Sequence, residues 1–104
     1  MTALTFEEDG AGDGTVLSVS GEIDMQTVPE LRSKVDDLDV AHRTLVLDLR
    51  GVEFVDSSGL GALLGIKKQQ DRGGGRLVLS RLSAPVVRIL QITRMDGVFT
   101  VADD

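Results

Sequence analysis

The sequence lacks cysteine, tryptophan and tyrosine altogether, and it contains a single histidine. Without cysteine the chain forms no disulfide, no thiolate metal site and no thiol redox switch. Three phenylalanines are its only aromatic residues, so it has no stacking platform for nucleic-acid bases or aromatic cofactors. Its uninterrupted apolar runs are only a few residues long, far short of the roughly 20 that cross a bilayer. We therefore expect neither a cofactor nor a membrane-spanning segment.

The charge balance is acidic, and the chain is short. Its 104 residues carry 17 acidic against 11 basic side chains, a formal net charge of -6. We therefore expect one domain spanning residues 1–104, with neither nucleic acid nor an anionic membrane as a partner. The first residues have neither the basic region nor the long apolar run of a signal peptide, which predicts a cytoplasmic protein.

Strand-like patterns recur along the chain between turn signals. Strands are predicted at residues 4–8, 15–20, 44–49, 76–80 and 98–101. The first two are expected to form a hairpin around a turn over residues 9–14, and Gly21 is expected to end the second.

Helical spacing of apolar residues predicts three helices between these strands. The first begins at Thr27, which forms a capping box with Glu30, and Val28, Leu31, Val35 and Leu38 mark its apolar face. The second runs from Ser57 to about Asp71. The third is capped by Ser83 and turns Val86, Ile89, Leu90 and Thr93 inward. The β-β-α-β-α-β-α-β order predicts an α/β fold, in which helices pack on a mixed sheet of four to five strands.

Two adjacent hydroxyls, Ser57 and Ser58, stand where a hydrophobic strand meets an amphipathic helix. At a helix N-terminus the unpaired backbone N–H groups and the helix dipole favour negative charge. A hydroxyl placed there is either a helix cap or a site for a phosphate. Residue type alone leaves both interpretations open, and caps are the commoner of the two.

The residues around the two serines allow further alternatives. Gly59 is compatible with close packing or with close approach of a partner, whereas Gly65 is expected to serve packing. Glu22, Asp24 and Asp56 follow strand ends and could gather near Ser57, but without metal-ligand spacing they are more simply solvated loop acids. Asp56 is expected to accept backbone N–H bonds and so orient the serine loop.

Intrinsic catalysis is not expected. A nucleophile elbow requires G-x-S-x-G, but Val55 and Asp56 occupy the positions where the first glycine would stand. His42 precedes a strand whose far end leads to Ser57, so the two side chains are roughly 20 Å apart. No lysine follows the glycines as a phosphate-binding P-loop requires.

Several segments together resemble the STAS domain of bacterial anti-sigma factor antagonists. They are Gly21-Glu22-Ile23-Asp24, Leu47-Asp48-Leu49, Phe54-Val55-Asp56-Ser57-Ser58-Gly59-Leu60-Gly61, the triple glycine 73–75 and Ser83-Ala84-Pro85-Val86. The resemblance covers roughly residues 4 to 101. It implies that Ser57 is the phosphoacceptor, which leaves Ser58 as the helix cap.

The resemblance also implies a mechanism and its partners. An anti-sigma factor that is itself a serine kinase binds the unphosphorylated antagonist and releases a sigma factor, and a PP2C-like serine phosphatase reverses the modification. The partner-binding residues implied are Glu22, Asp24, Asp56, Ser57, Ser58, Gly59, Leu60 and Gly61. The domain is expected to be a monomer or a weak homodimer.

Two further points follow from the resemblance. Related domains commonly continue into a further C-terminal helix, which the sequence, ending at Asp104, does not contain. The alternative to the switch is a non-switching STAS scaffold, in which Ser57 is only a cap and the domain assembles with itself or with another signalling protein.

Overall fold

The computed structural model describes residues 3–11 and 14–102. Within these residues, five strands and three helices follow one another. They are β1 (Thr5–Ala11), β2 (Gly14–Ile23), α1 (Val28–Asp37), β3 (Thr44–Val55), α2 (Ser57–Arg72), β4 (Arg76–Ser80), α3 (Ala84–Ile92) and β5 (Thr100–Ala102). The predicted α/β fold and element order are confirmed.

The strands form one mixed sheet in the order β1-β2-β3-β4-β5. β1 is antiparallel to β2, as the predicted hairpin requires, and the remaining neighbours are parallel. The turn predicted over residues 9–14 is partly wrong. Asp9 and Gly10 still pair with Val16 and Thr15, because the antiparallel ladder continues beyond the apolar alternation. Gly12 and Asp13 lie outside the described residues.

The strands β2 and β3 run farther than the sequence indicated. Gly21 does not end β2, which continues to Ile23, and Gly21 has a φ of 115° where the register with β3 shifts. A glycine adopts this positive φ without steric penalty, so the strand bends here instead of stopping. β3 extends to Val55 because its second half pairs with this continuation of β2.

The core lies between the sheet and the helices. Alternate residues of the three inner strands are fully or almost fully buried: Leu17, Val19, Leu45, Leu47, Leu49, Leu77 and Leu79. On α1, Leu31 and Val35 are buried while Val28 and Leu38 pack at the edge, which confirms the predicted helical face. α2 contributes Leu63 and Ile66, packs against β3 and β4, and contacts α1.

The third helix packs against β3 beyond the end of β4. β4 pairs with residues 44–48 of β3, and no strand among the described residues pairs with the rest of β3 on that side. α3 packs against β3. Val86 and Leu90 point inward as predicted. Thr93 does not: it is exposed at the C-cap, and its hydroxyl donates to the Ile89 carbonyl at 2.6 Å. The helix ends at Ile92, before the Asp96-Gly97 turn.

Ser83 precedes α3 but does not cap it through its side chain. The buried Oγ of Ser83 has no hydrogen-bond partner among the described residues. The capping prediction for this serine is therefore wrong. Pro85 in the first turn lacks the N–H that a cap would have bonded two positions along the helix.

A buried carboxylate ties β3 to the end of β4. Asp48 receives two hydrogen bonds from the Arg81 guanidinium at 3.0 and 2.7 Å, and the backbone N–H of Arg50 donates to its other oxygen at 3.0 Å. Burial by itself raises the pKa of Asp48, but these hydrogen bonds and the two positive charges outweigh it. The pKa therefore lies below its ordinary value of 3.8.

Asp48 makes stability depend on pH in the acid range. Because its pKa is lower in the folded protein, its contribution is complete above the unfolded value near 3.8 and is lost as the pH falls through the folded value. We expect Asp48→Asn to lower the free energy of unfolding by about 1–2 kcal/mol at neutral pH and by clearly less near pH 2.5. Urea unfolding of both proteins at each pH measures this, and a difference independent of pH contradicts it.

Candidate functional site

The site lies where two parallel strands end side by side. Ile23 ends β2 and Val55 ends β3, and the two residues are paired in register. The N–H of Asp56 still donates to the Ile23 carbonyl at 3.3 Å. Each strand is followed at once by an aspartate, Asp24 after β2 and Asp56 after β3. The pairing therefore places two carboxylates and the starts of two helices next to each other.

Asp56 is the N-cap of α2. Its Oδ1 accepts the backbone N–H of Gly59 at 3.0 Å, and its carbonyl accepts the N–H of Leu60. The predicted role of Asp56 in orienting the serine loop is confirmed. The prediction that Ser58 is the cap is wrong, because Ser57 and Ser58 already lie at the first and second helical positions.

Asp24 caps the turn that leads into α1, whose own N-cap position is Thr27. Its Oδ1 accepts the backbone N–H groups of Gln26 at 2.9 Å and Thr27 at 3.1 Å. The predicted capping box is wrong: the buried hydroxyl of Thr27 turns back to donate to the Glu22 carbonyl at 2.7 Å and to accept the Asp24 N–H. Asp24 is thus a structural residue as well as a half-exposed charge. An aspartate three positions before a threonine does not reveal this, since both residue types are competent caps.

Both serine side chains are free for chemistry. Ser57 and Ser58 are exposed, and neither hydroxyl makes a hydrogen bond within the described parts of the chain. At the first two helical positions their backbone N–H groups have no partner in the helix, and such groups favour an anion. A phosphate on Ser57 would lie beside them, but also beside the Asp56 carboxylate.

The two glycines after the serines have opposite surroundings. A Cβ on Gly59 would lie 2.7 Å from Val55 Cγ2 and 2.8 Å from the Ile23 carbonyl oxygen, so this glycine allows α2 to start against the strand ends. A Cβ on Gly61 would meet nothing within 4 Å, and Gly61 lies one turn after Ser57 on the same exposed face. Gly65 packs under Arg32 of α1, as expected.

The apolar surface near Ser57 differs from the sequence-based expectation. Leu60, an expected partner-binding residue, is only 7% exposed and belongs to the core. Met25, beside Asp24, is 75% exposed, and Phe54, three residues before Ser57, is 47% exposed. Sequence reasoning did not single out these two residues. The sequence did contain a signal for Phe54: successive side chains of a strand point to opposite faces, so the neighbour of the buried Val55 points away from the core.

Glu22, Asp24 and Asp56 do not form a metal site. Within residues 3–11 and 14–102, no group of three or more His, Cys, Asp or Glu side chains is placed to hold a metal ion. His42 is exposed just before β3, at the opposite end of that strand from Ser57. In the same ranges, no helix is long and apolar enough to cross a membrane.

Comparison with known proteins assigns the fold to a family. The STAS domain family matches residues 5–104, so the chain belongs to the STAS domain family. Its relatives at about 30% identity include the anti-sigma-B factor antagonist of Bacillus subtilis (strain 168), which is 33% identical over 86 residues, 83% of this chain and 79% of that protein. The anti-sigma F factor antagonist of Paenibacillus polymyxa is 30% identical over 91 residues, 86% of this chain and 78% of that protein.

A solved structure agrees with these relatives. The crystal structure of an anti-sigma factor antagonist from Mycobacterium paratuberculosis matches with a TM-score of 0.82 and 30% sequence identity. The match covers 97% of this chain and 86% of that one.

The contrast between Gly59 and Gly61 can be measured. We expect Gly59→Ala to destabilise the protein by about 1–3 kcal/mol, because the added methyl overlaps the ends of β2 and β3. Gly61→Ala, the matched control, should raise stability by about 0.5–1 kcal/mol, because its methyl meets no atom and alanine favours the helix. Urea unfolding checks both, and equal effects would contradict the assignment.

Proposed function

We propose that this protein is an anti-sigma factor antagonist switched by phosphorylation of Ser57. Unphosphorylated, it binds an anti-sigma factor serine kinase and thereby releases a sigma factor. That kinase phosphorylates Ser57 and ends the interaction, and a PP2C-like serine phosphatase restores it. The observation that carries the proposal is the exposed, unbonded hydroxyl of Ser57, held at the first position of α2 by the Asp56 cap. Similarity to named antagonists supports it.

Phosphorylation acts on the complex more than on the fold. A phosphate brings a charge of about -1.5 to -2. At the start of α2 the two free backbone N–H groups favour this charge, so we expect the domain to remain folded. In the complex the dianion must lose water or face the partner's own phosphates. An interface penalty of about 3–4 kcal/mol weakens binding several-hundred-fold, which is enough for a switch.

The surface around Ser57 has the chemistry of a docking site. Asp24 and Asp56 supply negative charge, Met25 and Phe54 supply exposed apolar surface, and Gly61 leaves the approach to Ser57 open. We propose that these residues, with Glu22 and Ser58, face a partner carrying cationic and apolar groups. Gly59 and Leu60 then support the site from the core side.

Further elements of the proposal concern the protein as a whole. It acts in the cytoplasm as a monomer or weak homodimer, forms one domain over residues 1–104, and carries out no reaction of its own. A non-switching scaffold is the competing hypothesis, and it assigned Ser57 to helix capping. Because Asp56 is the cap, Ser57 has no structural task in α2, which favours the switch.

The switch is tested at Ser57 itself. The protein is incubated with ATP and, one at a time, with the anti-sigma factor kinases of the source organism. We expect mass spectrometry to place one phosphate on Ser57, and Ser58→Ala, the matched control, still to carry that phosphate. Ser57→Ala should bind the kinase constitutively and Ser57→Asp at least about tenfold more weakly, because the charge meets the interface. Equal affinities of the two folded variants, or no phosphate on Ser57, refute the switch.

Two substitutions of Asp24 separate its structural role from a role in recognising the partner. Asn also caps helices well, so Asp24→Asn should keep the loop and change stability by no more than about 0.5 kcal/mol. Losing the charge should still slow association with the kinase, most strongly at low salt. Asp24→Ala, which also loses the cap, should cost about 1 kcal/mol in stability. Stopped-flow binding and urea unfolding measure the two effects. If Asp24→Asn binds as fast as the wild type, Asp24 is only a cap.

A further inference from the structure

A narrow apolar groove opens beside the proposed phosphorylation site. It lies between the C-terminal half of β3 and α3, and its volume is about 260 Å³. Its lining residues are Phe54, Val55, Pro85, Arg88, Ile89 and Ile92. It exists because β3 continues past β4, so that α3, instead of a strand, covers this part of β3.

The groove carries more exposed apolar surface than folding explains. Ile92 is 73% exposed at the end of α3, and Phe54 is 47% exposed on the facing strand. Both could be polar without loss to the core, since Val86 and Leu90 already anchor the helix. Exposed large apolar groups concentrated around one depression mark an interaction site.

One cation stands at this apolar groove. Arg88 is exposed and makes no ion pair or hydrogen bond with any described residue. The chain as a whole is acidic, with a net charge of -6. An unpaired guanidinium beside apolar side chains selects an occupant that has a carboxylate next to an apolar side chain.

We infer that this groove is a second docking point for the partner that reads Ser57, receiving one apolar side chain of that partner next to an acidic residue. The inference rests on the proposed function. Val55 lines the groove two residues before Ser57, so their Cα atoms are within about 7 Å. A stable interface covers about 800 Å² on each side, and one centred on Ser57 therefore reaches the groove.

The size of the groove and the charges near it favour a side chain of the partner over a small molecule or a second copy of this chain. At about 260 Å³ the groove is below the range of roughly 300–1,000 Å³ typical of small-molecule sites, but it suits a side chain that anchors an interface. A second copy is as acidic as the first, so a dimer through this face brings together two chains that each carry a net charge of -6. The repulsion between like charges disfavours such a dimer.

The groove predicts a division of roles that kinetics can resolve. It is separate from the reacting hydroxyl, so its loss should raise the KM of the kinase for this protein and leave kcat unchanged. We expect Ile92→Ser and Arg88→Glu each to weaken kinase binding, and to raise that KM, by about tenfold. Both side chains are exposed, so both variants should fold.

The experiment uses the full chain and the kinase identified by phosphorylation of Ser57, with titration calorimetry and steady-state phosphorylation as readouts. Val101→Ser and Lys68→Glu are matched controls, because they remove an exposed apolar side chain and reverse an exposed charge away from the groove. Circular dichroism melting confirms that all four variants fold.

The outcomes separate this inference from the proposed function. If Ser57 is phosphorylated and both groove variants bind like the controls, the groove inference is overturned while the switch stands. If no kinase phosphorylates Ser57, both are overturned. If sedimentation shows a wild-type dimer that Ile92→Ser dissolves, the groove belongs to a second copy and the inference is also overturned.

Discussion

The pairing of Ile23 with Val55 is the constraint on which the site depends. It makes β2 and β3 end together, and each strand is followed at once by an aspartate: Asp24 bonds N–H groups of the turn before α1, and Asp56 bonds an N–H group in the first turn of α2. Because each carboxylate bonds backbone N–H groups that follow it closely in the chain, these hydrogen bonds fix the segments after the two strands. Ser57 is therefore presented at the start of a capped helix and not by a loop.

The same pairing requires glycine at two positions. Gly21 adopts its positive φ where β2 shifts register to stay paired with β3, and Gly59 lets α2 begin in contact with Ile23 and Val55. A side chain at either position meets backbone atoms within 3 Å. Below the surface that carries Ser57 and Gly61, Gly59 packs tightly against the strand ends. Above it, no atom lies within 4 Å of the position of a Cβ on Gly61. This division suits a site that must be rigid and also accessible to another protein.

Much of the architecture could be predicted from local pattern. Branched residues located four strands and only the second half of the predicted fifth, since β5 begins at Thr100 and not at residue 98. The spacing of Leu31 and Val35 located the buried face of α1, because burial is periodic in regular structure. Strand ends were underestimated, since Glu22 and Phe54 are held in the sheet by pairing with each other and not by their own propensity. The predictions of helix caps failed for a similar reason. Thr27, Ser58 and Ser83 are all competent caps, and only their three-dimensional surroundings decide which donors they reach.

The sequence by itself determined the element order, the acidic charge and the position of two serines at a helix start, because these follow from residue type and spacing. The tertiary structure alone decided that Leu60 is buried and that Phe54 and Ile92 flank one groove with Arg88. These features depend on contacts between segments far apart in the chain, which local periodicity does not encode. The exposure of a side chain and its hydrogen-bond partners depend on how the whole chain packs.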